Sequence, residues 1–452
     1  DADPDCNPPE DWLEGARPPA PRWWARTDSG CSMIRLTSML HGEVLRDLLE
    51  RWILGRFDPA DCPALKRLVN LNAYVVRRYL DFFARDLLAD TLGRPVRSFV
   101  VNRKGQLKDF VCRHPPVDSL RVEAMVNHYR RFPEDYYRET PFEGRVYYVG
   151  EGDEACYVLS SRAKRMRRIA EKSARRIVDF IFGEIKKGAD ELATERASLL
   201  GIPKDRLITP VEQQIEEFAH AERRLVKSIR TGRIMDGPRP DLLINDLAGV
   251  KIITDLVSLD ALREWFDGND RVRLIEEEAH EGRYNATNFV IRYKLDKDEL
   301  LAQAPDERVS TILVARGVAS PGSIAEVYRS FVETADDWVN LEIIAATYED
   351  MLDSEIGLAM HENRIIEQRR AQEYRGHLAK NVEYLVTYAL SFAVSPSLTL
   401  EELPLRVWVK YMPDTVDDAL NRLWGIESAS SIPCSEALES SLAFFSEPAL
   451  HD

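Results

Sequence analysis

The sequence predicts an α+β fold, a mainly helical N-terminal domain leading into a sheet flanked by helices. Three observations predict it. Between Ser32 and Leu92, apolar residues such as Leu45, Leu48, Leu49, Trp52 and Ile53 recur at helical spacing. Between 95 and 160, the short alternating runs SFVVN, GRVYYVG and EACYVLS stand between Gly and Pro turns. After residue 240, strand-like apolar runs alternate with a capped helical segment. A chain of 452 residues allows two to four domains, at roughly 100–200 residues each.

Taken in order, residues 1–30 carry Pro8, Pro9, Pro18, Pro19 and Pro21 and read as an irregular arm. Residues 31–160 form an accessory domain whose role is not legible. A second domain, 161–390, opens with a long helix from Ser161 to about Leu200, which Gly201-Ile202-Pro203 breaks. Another helix runs from Thr209 or Pro210 through Arg233. Thr209 suits its N-cap, Pro210 its first turn, and Glu212 stands three residues after Thr209. LLINDLAGVKIIT then reads as one strand, and SLDALREWFDG as a helix capped by Ser258 and closed by Gly268. NFVIRYKL, STILVARG and VNLEIIAAT are further strands, followed by a helix from about Tyr348 to Arg375. Residues 391–452 form a C-terminal extension with one strand, LRVWVKY, and one short helix near Val416–Trp424.

Composition narrows the function. Hydrophobic residues at 44% and charged residues at 30% match an ordinary soluble globular protein. No stretch reaches the ~18–20 uninterrupted apolar residues of a membrane span. The Pro-rich, acidic first thirty residues read as neither a signal nor a transit peptide. Six scattered cysteines with no C-x-x-C argue against a zinc module or a disulfide framework and fit a reducing cytoplasm. A net charge of −15 excludes a uniformly basic nucleic-acid coat, though not a local basic patch. The phosphate loop G-x-x-x-x-G-K-[ST], a G-x-G-x-x-G after a strand, H-E-x-x-H and G-x-S-x-G are all missing.

What remains is a constellation in 215–375. Arg223, Lys227 and Arg230 share one helix face, flanked by Arg224 and Arg233. Such a face suits a polyphosphate, and spacing alone leaves a solvated basic face as the alternative. In INDLAGVKII, Asp246 stands at the start of a strand, Gly249 allows close backbone approach, and Lys251 follows. A carboxylate beside phosphate-binding cations suits Mg²⁺, which takes one or two carboxylates plus substrate oxygens; a turn-capping Asp is the alternative. Tyr284, in a Gly/Asn-rich turn, either stacks on a purine or covers a core edge. In VNLEIIAAT, Asn340, Glu342, Ile344 and Ala346 share one face, so Glu342 is an acid within an otherwise apolar strand. Upstream, eight of the fifteen residues in 162–176 are basic. That stretch suits an RNA backbone or a solvated amphipathic helix.

The order of these features resembles the synthetase domain of the RelA/SpoT alarmone enzymes, over about 210–375. A basic helix with Ser228-Ile229 precedes D-x-x-G-x-[RK], here Asp246 to Lys251. A Tyr-containing turn precedes a strand, and Leu341-Glu342-Ile343-Ile344-Ala345-Ala346-Thr347 leads into a helix. The resemblance implies a nucleotidyltransferase-like mixed sheet that moves pyrophosphate from ATP to a nucleotide 3′-hydroxyl. It implies Asp246 and Glu342 as catalytic and Mg²⁺-holding residues, with Glu342 accepting the hydroxyl proton. It further implies Arg224, Lys227, Arg230, Arg233 and Lys251 as phosphate clamps, with Tyr284 and Asn288 at the acceptor. This sequence departs from the family at Ile344 and Ala346, where members carry Gln and Arg. It departs again at Asn288, where His is usual, and at Lys251, where Arg is usual. Transfer to an RNA 3′ end and a nucleotide-sensing protein without catalysis are the competing expectations.

Overall fold

The computed structural model describes residues 34–117, 119–231, 242–282, 285–370 and 376–426. In chain order these give β1 (Ile34–Leu36), α1 (Gly42–Ile53), α2 (Asp61–Leu92), β2 (Arg97–Arg103), α3 (Lys104–Arg113) and α4 (Leu120–Arg131). Next come β3 (Pro141–Val149), β4 (Cys156–Ala163), α5 (Met166–Leu199), α6 (Val211–Arg230), β5 (Leu242–Ile244) and β6 (Ala248–Ile253). Then follow α7 (Leu259–Gly268), β7 (Val272–His280), β8 (Ala286–Lys294), α8 (Lys297–Ala302), α9 (Glu307–Ala315) and α10 (Ile324–Glu333). The chain continues through β9 (Trp338–Ala346), α11 (Tyr348–Ile356), α12 (His361–Arg370), α13 (His377–Val394) and α14 (Pro413–Arg422).

This is a mixed α+β architecture around a seven-stranded sheet of order β2-β3-β4-β6-β9-β8-β7. β6 and β9 pair in parallel, and every other neighbour in that sheet is antiparallel. β1 and β5 pair separately, in parallel. The expected boundary at 160/161 falls inside β4, and strands from both sides of it share the one sheet. The described residues belong to one compact unit.

One face of the sheet is dry. Val339, Leu341, Ile343 and Ala345 of β9 are buried there with Phe289, Ile291 and Tyr293 of β8, as period-two alternation requires. Phe83 of α2 sets its ring 5.2 Å from Tyr293 and 5.8 Å from Trp265 of α7. Each large aliphatic side chain buried in this way contributes about 1.5–3 kcal/mol. At one end of the opposite face α3, α4 and α11 cover the sheet. Leu107, Val111, Val122, Met351 and Leu352 pack there around Tyr157 and Ile253. The rest of that face is left for a cleft.

Several expected elements change. STILVARG is helical, in α9, because Asp306 accepts a hydrogen bond from the Val309 amide and caps the segment, so the cap outweighs β-branched propensity. LRVWVKY forms no strand. LLINDLAGVKIIT is two strands in two sheets, so Asp246 sits in the bend before β6 rather than at its start. The helix expected over 348–375 stops at Ile356, where the Asp353 carboxylate accepts from the Leu358 amide. α5 begins only at Met166 because 161–163 complete β4. Thr209 does not cap α6; its hydroxyl accepts from Arg196 of α5 instead.

Candidate active site

A cleft of about 530 Å³ lies over the open face of the sheet. The structure brings Asp246, Lys251, Asn288 and Glu342 together on its walls, with Ile344. Register explains the grouping. Arg162 of β4 pairs with Gly249 of β6, and Gly249 pairs with Glu342 of β9. One row across three strands therefore carries a cation, no side chain, and a carboxylate. A Cβ at Gly249 would stand 2.3 Å from the Glu342 carbonyl oxygen and 3.1 Å from its Cβ. Without it, the Arg162 guanidinium and the Glu342 carboxylate meet across the gap at 3.7 Å. Lys251, Ile344 and Asn288 form the next row on the same face.

Asp246 is held by its neighbours. Asn245 accepts from the Thr37 hydroxyl at 2.7 Å and from the Asn340 amide of β9 at 3.1 Å. The bend carrying Asp246 is thereby stitched to the strand carrying Glu342. The Asp246 carboxylate meets the Lys164 ammonium at 2.5 Å and also accepts from Lys172 of α5. Burial, with the charge of Arg162, pushes Lys164 down to about 7, and burial with the charge of Lys164 pushes Lys172 down to about 6. Contact with Asp246 favours the charged ammonium; burial and mutual repulsion oppose it. Two lysines crowding one carboxylate leave unmet capacity for anionic oxygen.

The whole cleft shares that bias. Eight of its lining side chains are Lys or Arg against five Asp or Glu, inside a chain of net −15. A second opening of about 790 Å³ shares Arg168, Lys172, Asp246 and Ile365 with the first and adds Arg175 and Arg176. Asp246 thus lines both openings. At the cleft floor Lys251 donates to Ser354 at 2.9 Å and to Glu355 at 3.0 Å, and Lys104 meets Glu355 at 2.8 Å. Glu355 is held well below the usual carboxylate range. Its burial works against that, and the Lys104, Lys251 and Lys108 charges overcome it. His361, also on the wall, is pushed well below 6.5 by burial and by Arg162, Lys104 and Lys251, so its imidazole is neutral at pH 7.

Other expected site residues lie elsewhere. Arg224, Lys227 and Arg230 are exposed on α6 and line neither opening, because α6 is the return arm of a hairpin packed along α5. Arg233 and Tyr284 lie outside the described residues. Asn288 sits within β8, not in a turn, and contacts His280 of β7 at 3.0 Å. Among the described residues the cations that meet Asp246 and Glu342 are Arg162, Lys164 and Lys172. The basic count over 162–176 flagged this stretch, but spacing could not show that its inner members face a carboxylate.

Asp246 and Glu342 suit Mg²⁺ as oxygen donors. Among the described residues no cluster of three or more His, Cys, Asp or Glu side chains is poised for a metal. Among the described residues, no helix is long and apolar enough to cross a membrane.

No family model and no curated protein matches this chain. Among solved structures, it matches the small alarmone synthetase 1 from Bacillus subtilis at 15% identity, over 48% of this chain and 89% of that one. The TM-score is 0.15, too low to carry an argument.

Proposed function

We propose that this protein is an ATP-dependent nucleotide pyrophosphokinase. The observation that carries this reading is that Asp246 and Glu342 line one cation-rich cleft, with Asp246 also lining the adjoining opening. Polyphosphate transfer asks a protein chiefly for positioning and charge neutralisation, and this cleft offers both. Arg162 and Arg168, joined by Lys164 and Lys172 as the phosphate charge draws protons back onto them, hold the triphosphate through charge-assisted hydrogen bonds. Asp246 and Glu342 would hold Mg²⁺, which neutralises charge on the phosphates when bound. The acceptor 3′-hydroxyl attacks the β-phosphorus of ATP. The bond from that phosphorus to the bridging oxygen of the α-phosphate breaks, and AMP leaves. Glu342 takes the hydroxyl proton. Tyr284 keeps the acceptor-stacking role that the resemblance implies.

The test incubates the pure chain with Mg²⁺, γ-labelled ATP and, separately, GDP, GTP, ADP or RNA. Label on a nucleotide acceptor with equimolar AMP supports the reading. Label on RNA alone would move the activity to an RNA 3′ end. ATP binding with no transfer to any acceptor would leave a nucleotide sensor.

A further inference from the structure

Helix α6 carries a surface that the proposed chemistry does not use. Its twenty residues span about 30 Å. Val211, Ile215 and Ala219 follow one another at i+4 spacing and are all exposed, with Val211 66% and Ile215 63% open to solvent. Ile208, just before the helix, is 91% exposed, and Leu199 at the end of α5 is 88% exposed. Single exposed aliphatic residues are ordinary, but a cluster along one hairpin marks a contact surface. Charge says what the contact is. Beside the apolar ridge, Glu212 and Glu216 are exposed in the first half of the helix, and Arg223 and Lys227 in the second half. Among the described residues none of these four makes an ion pair within the chain. Acid comes before base, the two halves are equally spaced about a point beside Ala219, and the small side chain there permits close helix approach.

We propose that α6 is a self-association face, on which the α6 of a second copy of this chain docks antiparallel. A two-fold axis beside Ala219 sets Glu212 and Glu216 of one copy along Lys227 and Arg223 of the other, and repeats the pairs by symmetry. Ile215 and Val211 flank that seam and supply its apolar contact. The charges fix the antiparallel direction, because a parallel pair would set acid against acid.

The test is the mass of the full-length chain by light scattering across concentration, for the parent and three variants. The parent is expected at twice the single-chain 51.7 kDa, shifting toward single chains on dilution. Ile215→Asp is expected as a single chain with unchanged helix content. Glu212→Lys with Glu216→Lys, and Arg223→Glu with Lys227→Glu, are each expected as single chains, because each pairs like with like. Mixed in equal amounts, those two double variants are expected to restore the doubled mass. A parent at single-chain mass at every concentration, double variants that still self-associate, or a mixture that fails to reassociate would each overturn the proposal.

Discussion

Replacing Glu355 with Gln tests the buried network beneath the cleft. The Glu355 side chain is 5% exposed and sits between Lys104, at 8%, and Lys251, at 15%. Removing its charge leaves two ammonium groups without their closest anion. Breaking one partner of a buried pair costs about 3–5 kcal/mol. The partial solvent access of Lys251 and the second carboxylate, Glu362, 3.6 Å from Lys104, point to the low end, about 3 kcal/mol. Urea unfolding at pH 7 reads this directly. The pH dependence follows from the depressed pKa. The stabilisation is fully present above 4.5, the ordinary value of a glutamate, which stands for the unfolded chain. It is lost as pH falls through the lower folded value. The gap between parent and variant is therefore widest at neutral pH and closes in acid. A variant within about 0.5 kcal/mol of the parent at pH 7, well short of that range, or a gap unchanged into acid, refutes the reasoning.

Asp246→Asn and Glu342→Gln should each lower turnover at least ~10²-fold with the fold intact, since each removes a charge from the reacting centre; steady-state rates and circular dichroism check both. Lys164→Gln or Lys172→Gln should weaken binding of the Mg²⁺–ATP complex roughly tenfold or more, the value of one charged hydrogen bond to phosphate, as read by calorimetry. ATP alone should bind far more weakly than with Mg²⁺, and Mg²⁺ alone should give no heat. Gly249→Ala should cost about 1–3 kcal/mol by forcing β6 from β9, and should lower turnover by parting Arg162 from Glu342. A variant as stable and active as the parent would remove the row's significance.

Short-range physics made much of this readable. The period-two pattern of 338–346 placed Glu342 on the wetter face of its strand, and Ser258 ahead of an amphipathic run marked α7. What was hidden depends on partners distant in sequence. Helical spacing grouped Arg223, Lys227 and Arg230 but could not say what that face meets. Lys164 and Lys172 stand eight residues apart, on a strand end and a helix, and only the Asp246 bend, over seventy residues on, brings them together. Likewise α9 reads as a strand until the Asp306 cap is weighed.

The order of strands has a consequence for how this protein comes into being. Among the described residues β9 is the last strand to be synthesised, yet it lies between β6 and β8. Until residue 346 has left the ribosome, β2-β3-β4-β6 and the β7–β8 hairpin are separate ribbons, each with an unsatisfied edge. Such edges invite pairing with other chains, and non-local closure of this kind is slow. The strand that seals the β6 and β8 edges is the one that carries Glu342, so the nascent chain places that carboxylate in the cleft in the same step that closes those two inner edges.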